Sequence, residues 1–372
     1  MKFDPISITS YTATTAVGRG RMALLDALRT RRSGLRRFEE CSDFAGENPP
    51  PLDTWVGEVD DLDSVALPAQ FVRYQCRNNR LAWLALNQDG FIDHARALAQ
   101  RYDPARVAVI VGTSTSGIGQ AELAFRARDA QGRLPASFDY GATLNNFSAP
   151  SLIAATLDVT GPTFAVSTAC SSSAKVFATA ARLMRAGWID AAIVGGVDSL
   201  CLTTLCGFSS LDLLSPEPCR PFDRARQGIS IGEGAGFALL ERGVPAPVRL
   251  LGAGESSDAH HMSTPHPEGL GARLAMAGAL EAAGLEPGAV DYINLHGTAT
   301  RANDPAEGRF LKDMEIAPNQ VNGSIVSVLA PPGVLVGKYP QTVLKTQIAY
   351  DLHSAGKCCD DPNCIHNQKP QQ

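Results

Sequence analysis

The residues best placed for chemistry lie in one run, Gly161 to Ser173 (GPTFAVSTACSSS). A short apolar strand is predicted over Thr163–Ser167, then a turn of small residues, then a helix over Ser171–Gly187. Cys170 sits at that junction. The first turn of a helix carries unpaired N–H groups and a partial positive charge. Both stabilise a thiolate, so a lowered pKa is expected for Cys170. The small neighbours Ala169 and Ser171 let a carbonyl approach the sulfur and let backbone N–H groups meet an oxyanion. That is the chemistry of a nucleophile that accepts an acyl group. A small core residue is the commoner role for a cysteine taken alone, but the strand–turn–helix context argues for function.

His296 is the second candidate. It follows a strand predicted over Tyr292–Leu295 and precedes Gly297-Thr298, a mouth-of-sheet position where ligands bind. Without Cys170 it would read as a structural histidine. Asp304 and Glu307 are three apart and share a helix face. A charge network behind a site and a solvated first turn are equally supported for them. His260, His261 and His266 lie close together, but an adjacent pair points apart on regular structure, which favours a structural or substrate-channel role over a metal. Gly228, Gly232, Gly234 and Gly236 lack Walker spacing and a following Lys-Ser or Lys-Thr. They predict close backbone packing before a strand. Cys358, Cys359, Cys364 and His366 do not match four-ligand zinc spacing, so no metal is expected.

The elements that must position these residues alternate. Strands are predicted over Ile6–Thr12, Arg106–Gly112, Ala191–Gly195, Gly236–Glu241 and Val248–Ala253. Helical spacing covers Gly18–Thr30, Leu81–Leu98, Ser148–Leu157 and Gly271–Gly284. Such alternation predicts an α/β sandwich with mostly parallel sheets.

The 372 residues, 44% of them hydrophobic and 19% charged, can build a substantial core. A net charge of −5 gives no sign of a nucleic-acid or anionic-membrane binder. No secretory signal or membrane span is visible. Nine irregularly spaced cysteines argue against a disulfide framework and for reduced thiols, hence a cytoplasmic protein. Composition changes after residue 309. Every arginine lies at or before Arg309, whereas five of the seven lysines (Lys312, Lys338, Lys345, Lys357, Lys369) follow it. Folding does not demand such a switch; a fusion, frameshift or insertion explains it better than a lysine-rich terminal tail.

Taken together, several segments resemble the β-ketoacyl synthases, the condensing enzymes of the thiolase fold. Ser167–Ser173 resembles their active-site signature. In order come Gly112–Ile118, Val194–Asp198 (VGGVD), Arg220-Pro221-Phe222-Asp223 with Gly232-Glu233-Gly234, Ser256–Ala259, and His296–Thr300 (HGTAT) with Asn303, Asp304 and Glu307. The resemblance covers about residues 5–309. It implies a thiolase-like layered α/β/α/β/α sandwich, with the C-terminal half incomplete or altered. The corresponding domains are 1–245 with the nucleophile, 246–309 as the start of the second half, and 310–372 as a divergent tail. It also implies decarboxylative condensation of an acyl group on Cys170 with malonyl-acyl carrier protein, in fatty-acid or polyketide and polyene synthesis. His296 would hydrogen-bond the developing enolate, and Thr298 and Thr300 the phosphopantetheine arm. No cofactor is implied beyond that carrier-borne arm. The implied partners are acyl carrier protein and a second copy in a homodimer. Two family elements, a lysine followed by Gly-His and a late Gly-Phe-Gly-Gly loop, are not found after Arg309. Their loss would weaken condensation and leave an exposed sheet edge. Acylation without condensation, an inactive truncated homologue and a non-condensing partner subunit are therefore the rival readings.

Overall fold

The computed structural model describes residues 4–41, 44, 49–261 and 264–314, with the strand segments 321–322 and 334–338. In chain order these form β1 (Ile6–Thr15), β2 (Gly18–Arg19), α1 (Gly20–Thr30), β3 (Arg36–Arg37), β4 (Trp55–Gly57), α2 (Arg77–Leu86), α3 (Phe91–Arg101) and β5 (Val107–Gly112). Next come α4 (Ile118–Arg126), α5 (Ser148–Leu157), β6 (Thr163–Val166), α6 (Ser172–Arg185), β7 (Ala191–Asp198), α7 (Leu202–Ser210), β8 (Ile231–Gly232) and β9 (Gly234–Glu241). Then follow β10 (Val248–Ala253), α8 (Leu270–Ala283), β11 (Ile293–Asn294), α9 (Asn303–Asp313), β12 (Val321–Asn322) and β13 (Val334–Lys338).

The main sheet runs β13-β10-β1-β9-β7-β5-β6. Its β6-β5-β7 side is parallel. The pairs β7–β9, β9–β1, β1–β10 and β10–β13 are antiparallel. The sheet is thus mixed, which corrects the expectation of mostly parallel strands. The helices α5 and α6 each carry the chain back across the sheet, so the strands they join run in one direction. No such crossover precedes β9, which enters from the opposite end after a long excursion that includes α7 and β8.

Residues 107–111 (VAVIV) are apolar without a break because both sheet faces are covered. Val107, Val109 and Val111 join α2, α3 and α5 on one side, with Ile193, Phe237 and Leu239. Ala108 and Ile110 pack with Val176, Ala180 and Met184 of α6 on the other. That gives helix, sheet and helix layers around the nucleophile half. Met276 of α8 and Leu295, Phe310 and Leu311 form a smaller core that begins the second half.

Two further expectations change. The single helix predicted over Leu81–Leu98 is two, because Asp89 (φ 57°) and Gly90 (φ 69°) take left-handed backbone between α2 and α3. The sheet edge that the missing family elements would expose is not that of β10: β13 pairs along it, from Val248 opposite Lys338 to Ala253 opposite Val334. The tail cluster Cys358, Cys359, Cys364 and His366 lies outside the described residues.

Candidate active site

Cys170 emerges from the turn between β6 and α6. Ala169 before it holds φ 54°, a left-handed conformation that costs a non-glycine residue roughly 1–2 kcal/mol. Donors converge on the Ala169 carbonyl to hold it there. The Ser172 hydroxyl donates at 2.6 Å, the Ser114 hydroxyl at 3.1 Å and the Ser172 amide at 3.1 Å. Ser172 also accepts from the Thr168 amide at 2.8 Å. The first turn of α6 lies directly on the sheet because two glycines beneath it have no side chain. A Cβ on Gly112 would come within 2.5 Å of the Ser172 carbonyl carbon and Ser173 nitrogen, and one on Gly196 within 2.6 Å of the Ser173 Cβ. The glycines in Gly112–Ile118 and VGGVD therefore set the height of the nucleophile above the sheet.

Cys170 is exposed as a residue. Burial pushes the Cys170 thiol up from its ordinary value, its own backbone N–H pulls it down, and the Asp198 carboxylate pushes it up again. The expected lowering is thus corrected. The α6 helix begins only at Ser172, and a carboxylate not considered from the sequence faces the same turn.

His296 follows β11 on a loop that turns through Gly297 (φ 56°) and Ala299 (φ 58°). Two carboxylates from α9 shape this loop. Glu307 accepts from the His296 amide at 2.7 Å, the Gly297 amide at 2.8 Å and Asn303 Nδ2 at 2.8 Å. Asp304 accepts from the Ala299 amide at 3.0 Å and the Phe222 amide at 2.6 Å, with Arg226 Nε 3.6 Å away. Phe222 is itself left-handed (φ 62°). One carboxylate thus holds two strained amides, one from each half of the chain. Both acids are buried, at 2% and 3% exposure, which excludes the solvated-first-turn reading. Burial raises Glu307 to about 7 and pushes Asp304 above its ordinary value, although amide donors oppose both shifts. Burial holds His296 below its ordinary value.

Cys170, His296, Thr298 and Thr300 line one cleft of about 1630 Å³, with the two threonine hydroxyls 2.9 Å apart. His261 lines the same cleft, while His260 and His266 stack edge to face at 5.0 Å. Among the described residues no three His, Cys, Asp or Glu side chains come together as a metal ligand set. No helix among them is long and apolar enough to cross a membrane. Asp198 and Ser114 were not singled out from the sequence as site residues; the only signal was a polar residue ending an otherwise apolar strand.

A strained turn presenting a cysteine above a helix start, across a cleft from a histidine loop, belongs to the thiolase-like fold. The solved ketosynthase ApeO, in complex with its chain length factor ApeC from Xenorhabdus doucetiae, shares this architecture. It aligns with a TM-score of 0.73 and 36% identity over 84% of this chain and 76% of that one. The ishigamide ketosynthase/chain length factor aligns at 0.71 and 26% identity, over 88% of this chain and 81% of that one. The β-ketoacyl synthase N-terminal domain model matches residues 3–246, and the C-terminal domain model residues 248–328, which runs past Arg309. The chain belongs to the β-ketoacyl synthase family. It is 29% identical over 328 residues to 3-oxoacyl-(acyl-carrier-protein) synthase 2 of Coxiella burnetii, spanning 82% of this chain and 76% of that protein. Nodulation protein E of Rhizobium meliloti is 34% identical over 215 residues, which is 56% of this chain and only 53% of that protein. The chain thus spans about half the length of that relative.

Proposed function

We propose that this chain carries out β-ketoacyl synthase chemistry, taking an acyl group onto Cys170 and condensing it with a malonyl thioester. The observation that carries this reading is the shared cleft of Cys170 and His296. In the first half-reaction the Cys170 thiolate attacks the carbonyl of an acyl thioester. The thiolate proton has gone to solvent, and the pantetheine thiol leaves with a proton in its place. In the second, the malonyl thioester loses carbon dioxide and its enolate attacks the acyl carbonyl. A carbon–carbon bond forms and the Cys170 sulfur–carbon bond breaks. A neutral His296 can donate a hydrogen bond to the enolate oxygen without giving up a proton. Its depressed pKa supports that protonation state. The Thr298 and Thr300 hydroxyls would hold the amides of the phosphopantetheine arm. The substrates arrive on acyl carrier protein, the chain works as a homodimer in the cytoplasm, and it needs no cofactor of its own.

A second reading, acyl transfer to Cys170 without condensation, is favoured by one observation. No Gly-Phe-Gly-Gly occurs after Arg309, and Lys345 with His353 has the wrong spacing for the family's lysine and Gly-His. Incubation of the full chain with acyl- and malonyl-acyl carrier protein separates the two. Condensation gives a β-ketoacyl product that Cys170→Ala abolishes, whereas His296→Ala blocks product but leaves the acyl adduct. An acylated Cys170 with no product supports the second reading. Absence of any adduct on Cys170 would refute both.

A further inference from the structure

We propose that Asp198 is a positioning residue for Cys170, acting through the loop Thr113–Thr115 and the Ser114 hydroxyl on the Ala169 carbonyl. The inference rests on the reading of Cys170 as the acyl acceptor. Asp198 ends β7, and its Oδ1 accepts four hydrogen bonds. Thr113 Oγ1 donates at 3.0 Å, the Ser114 amide at 2.7 Å, the Thr115 amide at 2.8 Å and Thr115 Oγ1 at 2.9 Å. Each threonine hydroxyl accepts in turn, Thr113 from the Ser116 amide at 2.9 Å and Thr115 from the Ser199 amide at 3.1 Å. One carboxylate oxygen therefore freezes the backbone of the loop. The loop's exposed outcome is a single side chain: Ser114, whose hydroxyl reaches the strained Ala169. A residue held at positive φ persists only where its surroundings over-determine it. Here Ser172 grips the Ala169 carbonyl from the helix side and Ser114 from the sheet side. The arrangement has a chemical consequence. The charge that orders the loop also opposes the thiolate, and Lys175, Arg220, Glu255, His261 and His296 line the cleft without acting on the sulfur in that way.

The two effects separate by substitution. Asp198→Asn keeps an acceptor at Oδ1 and removes the charge; Asp198→Ala removes both. Two measurements on the full chain read them. Hydrogen exchange of the peptide spanning Thr163–Ser173 reports the turn, through the bonded Thr168 and Ser172 amides. The pH profile of Cys170 alkylation by iodoacetamide, followed by peptide mass spectrometry, reports the thiol. In the Ala variant, exchange over this peptide is expected to quicken about tenfold, the effect of losing the one hydrogen bond from Ser114 to the Ala169 carbonyl. The Asn variant is expected to exchange clearly more slowly than the Ala variant. In both, the alkylation midpoint moves to lower pH. Wild-type exchange in the Ala variant overturns the positioning role, and so does an Asn variant that exchanges as fast as Ala. An unmoved alkylation midpoint overturns the opposing-charge part. Acyl loading is read in parallel. A wild-type Cys170 that takes no acyl group sinks the proposed function, while exchange and alkylation still decide the role of Asp198.

Discussion

A buried carboxylate is costly unless donors converge on it, and Glu307 shows how far three donors go. Its two oxygens order the His296 loop, yet its pKa stays near 7 because no cation among its bonded partners offsets burial. The folded-state value lies above the ordinary 4.5, so the folded protein binds the proton more tightly than the unfolded chain. Stability from this group is full below about 4.5 and is lost as pH rises through about 7. Glu307→Gln removes that titration. The stability of wild type relative to the variant should fall on the order of 3 kcal/mol between pH 5 and pH 8, read by urea unfolding at each pH. A difference that stays constant over that range contradicts the assignment. At this scale the sequence was legible where a residue's own context carried the signal. Cys170 before a helix and His296 after a strand are local patterns. Glu307 was ambiguous because an acid in the first turns of a helix looks the same whether it faces water or a backbone loop. The effect of Asp198 on Cys170 was hidden, because β7 and β6 flank β5 and the two residues are linked only through the loop that follows β5.

At the scale of elements, the site depends on how closely α6 sits on the sheet and how firmly the strand ends are tied. Gly112→Ala places a methyl within 2.5 Å of backbone atoms in the first turn of α6, which cannot yield as a flexible side chain would. The helix start must lift, and Cys170 with it. Acyl loading of Cys170 should drop by about tenfold or more, since roughly 1 Å of misplacement can cost 10²-fold. Wild-type loading kinetics in this variant would contradict the account. Glu233, from the Gly-Glu-Gly segment, does the tying. It accepts from the Val59 amide at 2.9 Å, the Leu200 amide at 3.0 Å and Arg77 Nε and Nη2 at 2.9 and 2.7 Å. Arg77 also meets Glu58 at 3.2 Å, and both acids are almost fully buried. Arg77→Ala leaves buried Glu233 without its cation, while Glu58 keeps Arg36 at 3.7 Å, and should cost about 3–5 kcal/mol, measured as a lower urea midpoint at unchanged slope. A shift under 1 kcal/mol would show that solvent or other donors already satisfy Glu233. Most element types were readable from periodicity and from the glycines that interrupt it. Strand direction was not, because direction depends on where a long connection re-enters the sheet. The Arg77–Glu233 tie was likewise invisible at a separation of 156 residues.

At the scale of the molecule, the two edges of the main sheet differ. On one side β13 covers β10. On the other, among the described residues, β6 pairs only with β5. The register fixes which groups remain free. The Val109 amide donates to the Pro162 carbonyl and the Thr113 amide to the Val166 carbonyl, so even-numbered residues of β6 face β5. The amides of Thr163 and Ala165 therefore point to the open edge. Such an edge invites another strand. The homodimer proposed above would pair across this edge. Ala165→Pro removes one outward donor and leaves the bonds to β5 in place, a substitution that edge strands tolerate. Sedimentation at micromolar concentration should give a dimer for wild type and a monomer for the variant, with cooperative unfolding retained in both. Cys170 lies only five residues beyond this edge position, so the monomer should also load acyl groups more slowly. A variant that remains dimeric would move the interface elsewhere, and a monomeric wild type would remove it.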